Sequence, residues 1–185
     1  EHTLTIFRDG QPVSTIGRME RDIMTLGHRL RLGFIGSVCT HPELRGQGLA
    51  GTILGAVLER FRRNDVDLVY VSGTRPMYFG AGANYVSIEE RFWLGKEGLA
   101  DDGSEVELRQ ARLEDIDLLI ALSEAEGTRI MRPRLDWEIV LRDAHCRGHA
   151  STLNLVTSGG LPVGYLLLEQ DQRRNQQIVS EVAGE

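Results

Sequence analysis

The chain has 185 residues and a mass of 20.6 kDa, enough for one large domain or for one domain and part of a second. Apolar residues make up 41% and charged residues 26%, as in ordinary globular proteins, so the composition excludes disordered, collagen-like and coiled-coil chains. The net charge of −6 argues against a general nucleic-acid binder, whose surface needs clustered Lys and Arg.

Leader segments, membrane spans and cysteine frameworks are not predicted. No apolar run reaches 18 residues and no charged-then-apolar leader opens the sequence, so neither a membrane span nor a signal peptide is expected. Cys39 and Cys146 lack CxxC spacing, which predicts buried thiols in a reducing cytoplasm. His145, Cys146 and His149 lack a fourth ligand, so no metal site is predicted.

Charge is distributed unevenly along the chain. Residues 1–100 contain 12 basic and 11 acidic residues, whereas residues 101–185 contain 9 basic and 16 acidic residues. The change coincides with a polar stretch at 95–103 that contains three glycines. We therefore predict two domains, residues 1–99 and residues 100–185.

The first half predicts a mixed sheet with helices. Residues 3–8 alternate apolar and polar, and the following Asp9-Gly10 is a turn signal, so the chain opens with a hairpin. Residues 30–40 form a β-prone run in which Gly33 and Gly36 indicate a bulge or a close approach. An amphipathic helix at 48–63 then connects to a short strand and a second helix, so this part of the sheet is expected to be parallel.

The second half predicts a strand, two helices and a hairpin, at residues 106–109, 113–125, 135–145 and 153–168. The polar run 170–177 predicts a frayed segment, and residues 178–184 lie where a further strand would begin. The fold class expected for the whole chain is α/β (α+β in some schemes), a mixed sheet with helices on both faces.

The most informative stretch lies between the predicted strand at 30–40 and the helix at 48–63. Glycines at this helix N-terminus let a ligand approach backbone N–H groups that have no partner within the helix, and Arg45 adds a cation. Such an end binds anions, and a pyrophosphate is the expected ligand. The residues concerned are Arg45, Gly46, Gln47, Gly48, Leu49, Ala50 and Gly51.

Two readings of this pyrophosphate site compete. Gly46, Gly48 and Gly51 formally satisfy the dinucleotide-binding fingerprint. That fingerprint needs a strand running directly into the first glycine and an acid at the end of the next strand. Here residues 41–45 intervene, and Asp65 and Asp67 precede the next strand, so a dinucleotide-binding domain is a distant third among the hypotheses.

The other reading rests on a resemblance. Residues 38–50 resemble the Gcn5-related N-acetyltransferases (GNAT family), whose signature Q/R-x-x-G-x-G/A is filled by Arg45, Gly48 and Ala50. A second match is the family's later motif, a helical tyrosine followed four positions on by a glycine, filled by Tyr78 and Gly82. One helix and one strand separate the two motifs, as in the family fold.

The resemblance implies an acyl-CoA N-acyltransferase-like fold and an N-acetyltransferase that moves an acetyl group from acetyl-CoA to a primary amine by direct attack in a ternary complex. It implies that Tyr78 protonates the departing thiolate. It also implies that acetyl-CoA is held by a splayed strand and the glycine turn, through Val38, Cys39, Thr40, Arg45, Gly46, Gln47, Gly48, Leu49, Ala50 and Gly51. The general base is not evident, and the candidates are His28, His41, Glu20, a water and the C-terminal carboxylate of a longer chain.

Two further alternatives stay open at this point. The family fold opens with a strand and two helices before its hairpin, and residues 105–170 have that order. The chain thus resembles an internal piece of a two-lobed member, or its second segment supplies the missing elements. The alternative function is a non-catalytic CoA-binding or assembly module. The expected partners are a small-molecule or peptide amine, and incomplete lobes would expose apolar faces and favour homo-oligomers.

Overall fold

The computed structural model describes residues 2–86, 105–146 and 149–184. The chain forms two compact units, Glu1–Ile23 with His28–Trp93 and Met24–Gly27 with Leu94–Glu185. Each is a mixed α/β layer of one sheet and its helices. The predicted domain boundary between residues 99 and 100 lies outside the described residues.

The first unit is a sheet with the strand order β1-β2-β3-β4. Asp9 and Gly10 join β1 and β2, and both have positive φ, 53° and 75°, as a tight hairpin turn requires. This confirms the predicted opening hairpin. The elements are β1 (His2–Arg8), β2 (Gln11–Thr25), β3 (His28–Thr40), α1 (Leu49–Arg63), β4 (Leu68–Val71) and α2 (Pro76–Gly80).

Helix α1 crosses from β3 to β4, and these two strands pair in parallel as predicted. Ile53, Leu54, Val57 and Phe61 form its buried face, which is the apolar stripe seen in the sequence. A Cβ atom on Gly33 would lie 2.7 Å from the Phe61 ring, so only glycine lets this ring rest on β3. The close approach predicted at Gly33 is therefore that of a core side chain.

The second unit has a sheet with the strand order β10-β9-β8-β5, and β7 pairs with β8. The pairs β5/β8, β8/β9 and β9/β10 are all antiparallel. Its core contains Ile116, Leu119, Trp137, Leu155 and Tyr165. The elements are β5 (Val106–Gln110), α3 (Ile116–Ala125), β6 (Arg129–Ile130), α4 (Arg134–Asp143), β7 (His145–Cys146), β8 (His149–Ser158), β9 (Leu161–Asp171) and β10 (Gln176–Gly184).

Two expectations from the sequence are wrong. The run 170–177 is ordered, since it contains the end of β9, a turn at 172–175 and the start of β10, and the Asp171 carboxylate accepts the N–H groups of Arg173 and Arg174 at 3.0 and 3.2 Å. Cys39 was expected to be buried but is exposed near the end of β3, and the side chain of Cys146 lies outside the described residues. Among the described helices, none is long and apolar enough to cross a membrane.

Candidate functional site

The end of β3 extends beyond its parallel neighbour. The β3/β4 ladder ends at the pair Ile35 and Val71, whereas β3 continues to Thr40. On its other edge β3 stays attached, because His41 N–H donates to the Val13 carbonyl at 2.8 Å and the hydroxyls of Ser14 and Thr40 lie 2.9 Å apart. Within the described part of the chain, residues 36–40 therefore have a free backbone edge on the β4 side.

A local distortion accompanies this separation. Ser37 has a φ of 51°, which a non-glycine residue adopts in a strand only at a bulge. Gly36, Ser37 and Cys39 are exposed, and Val38 and Thr40 are half-buried. The three strand residues predicted to hold a ligand, Val38, Cys39 and Thr40, thus lie together on the open end of β3.

The turn after β3 presents backbone to the solvent. A 3-10 turn, Pro42–Leu44, leads to Gly46 and Gly48, whose φ angles of 79° and 76° favour glycine. A Cβ atom on either glycine would meet no described heavy atom within 4 Å, so side chains do not block the turn. The dinucleotide alternative lacks its structural context here, because this 3-10 turn separates the strand from the first glycine.

The N-terminus of α1 supplies unpaired donors next to this turn. The first helical bond is Thr52 N–H to the Gly48 carbonyl at 3.0 Å, so the N–H groups of Leu49, Ala50 and Gly51 have no acceptor within the helix. No described side chain caps this end. The three arginines of the helix lie in its last turn, and its first turn is uncharged. The partial positive charge at the N-terminus is thus free for an anion.

Two guanidinium groups flank the turn. Arg45 Nε donates to the Thr40 carbonyl at 3.3 Å, which keeps this side chain beside the end of β3. Arg8, at the end of β1, lies with NH1 3.5 Å from Gln47 Oε1, at the long limit of a hydrogen bond. The sequence analysis missed Arg8 because 39 residues separate it from Gln47. Only the hairpin register places β1 beside the turn.

Tyr78 lies in the core of the first unit, 5% exposed, with Ile35, Ile53 and Val57 among its neighbours in that cluster. Its hydroxyl makes no hydrogen bond with the residues that the structure describes. Burial raises the pKa of Tyr78, and the nearby Arg75 opposes this shift. The phenol is therefore protonated at neutral pH. Gly82, the other half of this motif, has a φ of 96°.

Of the candidate bases, His41 directly follows the open end of β3, whereas Glu20 and His28 lie elsewhere. Glu20 accepts hydrogen bonds from Arg18, Arg31 and Asn64 at 2.7 to 3.0 Å. Burial acts to raise the pKa of Glu20, but the hydrogen bonds from Arg31 and Asn64 outweigh it, so the pKa is lowered and the carboxylate is a poor proton acceptor. His28 begins β3 and lies about 40 Å along the strand from Thr40.

Side chains that could bind a metal ion do not cluster in the described part of the chain. No group of three His, Cys, Asp or Glu side chains there could hold a metal ion. The described polar groups around the turn are backbone N–H groups of α1 and the side chains of Arg8 and Arg45.

Comparison with known proteins identifies the first unit. The family profile described as an acetyltransferase (GNAT) domain matches residues 1–86. No curated protein matches the chain.

Solved structures resemble the chain over nearly its whole length. A GCN5-related N-acetyltransferase from Kribbella flavida aligns with a TM-score of 0.66 and 17% identity, over 99% of this chain and 47% of its own. One from Anabaena variabilis aligns with a TM-score of 0.68 and 17% identity, over 98% of this chain and 48% of its own. Saccharomyces cerevisiae N-myristoyltransferase with bound myristoyl-CoA aligns with a TM-score of 0.60 and 11% identity, over 95% of this chain and 51% of its own.

The chain thus spans about half the length of the structures it resembles. At these identities the likeness establishes the fold, which is that of the acyl-CoA N-acyltransferases and confirms the predicted class. The family profile covers both motifs, from the glycine turn to Tyr78 and Gly82. Residues 1–86 of this chain therefore match the family described as an acetyltransferase (GNAT) domain.

Proposed function

We propose that this chain binds acetyl-CoA and transfers its acetyl group to a primary amine, a small molecule or a peptide, by direct attack in a ternary complex. The observation that carries the proposal is the uncapped N-terminus of α1 beside the unpaired end of β3. A pyrophosphate needs several convergent N–H donors, and an extended amide-bearing arm needs a free strand edge. Both lie within one β-turn-α segment.

Each part of the segment has its own task. The N–H groups from Gly46 to Gly51, with Arg45, would hold the pyrophosphate, and Arg8 would add a second cation. The free edge at Val38, Cys39 and Thr40 would pair with the amides of the pantetheine arm. A backbone N–H of the same three residues would stabilise the negative charge that develops on the thioester oxygen.

Tyr78 fits the role of the acid. The amine nitrogen attacks the thioester carbon, the C–S bond breaks, and the sulfur leaves with the electron pair and takes a proton. Burial favours the neutral phenol, so Tyr78 has that proton at neutral pH and its hydroxyl has no competing acceptor among the described residues. The amine must lose a proton before it attacks, and a water fits this role better than the ion-paired Glu20.

Calorimetric titration of the folded chain with acetyl-CoA tests the proposal, together with release of the CoA thiol in the presence of an amine panel. Because a related fold holds myristoyl-CoA, the titration should include both acyl-CoA esters. Acetyl-CoA is expected to bind the better of the two. Absence of binding by the folded chain at about 1 mM acetyl-CoA, the upper end of ordinary KM values, would overturn the proposal.

The role of Tyr78 is tested by Tyr78→Phe, which keeps the ring and removes the proton. We expect kcat to fall about 100-fold with an unchanged KM for acetyl-CoA. Tyr70→Phe is the matched control, since Tyr70 is 48% exposed on β4 and packs edge-on to Phe34.

A second candidate is a CoA-binding module without catalysis. Two observations favour it, the packing of Tyr78 in the core and the absence of a candidate base among residues 36–40. Tight binding of acetyl-CoA, without thiol release against any amine and unaltered in Tyr78→Phe, would select this candidate.

A further inference from the structure

We infer that the second unit has a binding site of its own for a small organic anion, in a cavity between the end of β5 and the end of α4. The cavity has a volume of about 760 Å³, within the roughly 300–1,000 Å³ of ordinary small-molecule sites. All of its described lining residues belong to the second unit, so the inference stands whether or not the first unit transfers acyl groups.

The charge of this cavity is opposite to that of its surroundings. Residues 101–185 contain 9 basic and 16 acidic residues, yet three of these arginines, Arg109, Arg112 and Arg142, line the one cavity. Glu114 is the single acid among its described lining residues. The lining itself thus has three basic side chains and one acidic one, while Asp115 and Glu138, outside the lining, pair with Arg109 and Arg142, so an anion must compete with these carboxylates.

Two of the arginines are available to a ligand. Arg112 lies 3.7 Å from Glu114, and both side chains are about three-quarters exposed. Arg142 lies 3.6 Å from Glu138 and is 63% exposed. Exposed pairs at such distances contribute little free energy, because water screens them, so an entering oxyanion can replace the carboxylate partners.

The third arginine is fixed. Arg109 donates from NH1 and NH2 to the two Asp115 oxygens at 2.9 and 2.7 Å, and the backbone N–H of Arg112 donates to the same carboxylate at 2.8 Å. Asp115 is itself buried. One carboxylate therefore holds the Arg109 guanidinium and the Arg112 backbone, and a preorganised site loses less entropy when it binds.

The lining also has an apolar part. Leu113 is 43% exposed and Leu141 is half-buried, and both line the cavity. Guanidinium groups match the geometry of phosphate and carboxylate oxygens, and these leucines add apolar contact. The ligand class is therefore a phosphate monoester or carboxylate attached to a compact apolar group.

Titration of the full chain with phenyl phosphate, followed by amide NMR at constant ionic strength, tests the inference. We expect saturable shifts confined to the amides of residues 109–114 and 141–142. Benzyl alcohol, the neutral probe, should cause none, and benzoate distinguishes a carboxylate ligand from a phosphate. Shifts that do not saturate by about 10 mM, or that spread over the surface, would overturn the inference.

A double variant, Arg112→Gln with Arg142→Gln, should weaken phenyl phosphate binding at least tenfold. Its matched control is Arg62→Gln with Arg63→Gln on α1, where both arginines are at least 70% exposed and pair with Glu59. Equal affinity in the two double variants would also overturn the inference. Both changes are on exposed side chains, so neither should prevent folding.

Discussion

The two units differ in how they treat their polar groups. In the first, the N-terminus of α1 and one edge of β3 have donors and acceptors without partners among the described residues. In the second, the core tyrosine Tyr165 and its polar neighbours pair with one another, whereas the buried Ser151 Oγ has no partner among the described residues. Tyr165 donates to Glu181 at 2.7 Å, Glu181 pairs with Arg132 at 2.7 Å, and Arg132 lies 4.4 Å above Trp137. The two units thus have similar layers of sheet and helix, but these polar groups are open to a ligand in the first and paired with each other in the second.

The two buried tyrosines differ in the hydrogen bonding of their hydroxyl groups. Burial raises the pKa of both Tyr78 and Tyr165. For Tyr165, hydrogen bonding to Glu181 raises the pKa further, and its proton is committed to that acceptor. Tyr78 has no such acceptor among the described residues. Burial alone therefore does not identify the candidate acid, whereas burial with an unused hydroxyl does.

The largest expected effect comes from closing the open turn. Gly48→Val places a branched side chain at a φ of 76°, next to the free N–H groups of α1. We expect acetyl-CoA to bind at least 100-fold more weakly, about 2.7 kcal/mol, measured by calorimetry. Gly10→Val is the control, because Gly10 has a φ of 75° and open space but lies in the β1–β2 turn. Equal losses in both variants would point to strain rather than to a lost site.

The next largest effect concerns two ion-paired carboxylates, Glu20 in the first unit and Asp115 in the second. Burial acts to raise the pKa of Glu20, but hydrogen bonds from Arg31 and Asn64 lower it overall, and the hydrogen bond from Arg109 holds the pKa of Asp115 below its usual value. A lowered pKa means that the folded state binds fewer protons than the unfolded state. This stabilisation is therefore present above the ordinary values of 4.5 and 3.8 and is lost as the pH falls through the folded-state pKa.

Glu20→Gln and Asp115→Asn should each lower the free energy of unfolding by about 2 kcal/mol at neutral pH, since each leaves charged donors unpaired. Urea unfolding at neutral pH and at about pH 3 measures this, and the difference from the unmodified chain should shrink in acid. Glu59→Gln is the control, because Glu59 is half-exposed and its arginine pairs contribute little. A difference that persists in acid would contradict the assignment.

A smaller effect concerns the space that Gly73 leaves for the Tyr78 ring. A Cβ atom on Gly73 would lie 2.8 Å from Tyr78 Cε2, so Gly73→Ala must displace the ring. On the proposed function, kcat should fall about tenfold while the KM for acetyl-CoA is unchanged, as measured by thiol release. The control is Gly80→Ala. Gly80 lies in α2, the helix that contains Tyr78, and has open space around it, so this variant should leave kcat unchanged. An unchanged kcat in Gly73→Ala would mean that the position of the phenol does not matter.

Features that depend on local chemistry could be predicted from the sequence. The Asp9-Gly10 turn, the buried face of α1 and the absence of a side-chain cap at its glycine-bearing N-terminus each follow from a few neighbouring residues. The placement of Arg8 beside Gln47 and of Asn64 against Glu20 could not be predicted, because the partners are 39 and 44 positions apart in the sequence and the tertiary fold decides both contacts. The polar composition of residues 170–177 predicted a frayed segment, which is wrong because one carboxylate orders the turn.

That turn gives the smallest expected effect. Asp171 Oδ1 accepts two backbone N–H groups, so Asp171→Ala should cost about 1 kcal/mol and speed hydrogen exchange at Gln176 and Gln177, which begin β10. Asp171→Asn keeps the side-chain acceptor and should restore most of the protection. If both variants exchange like the unmodified chain, the pairing of β9 and β10 orders the hairpin by itself. In that case the turn forms because β9 and β10 pair, and the polar composition of residues 170–177 does not determine their structure.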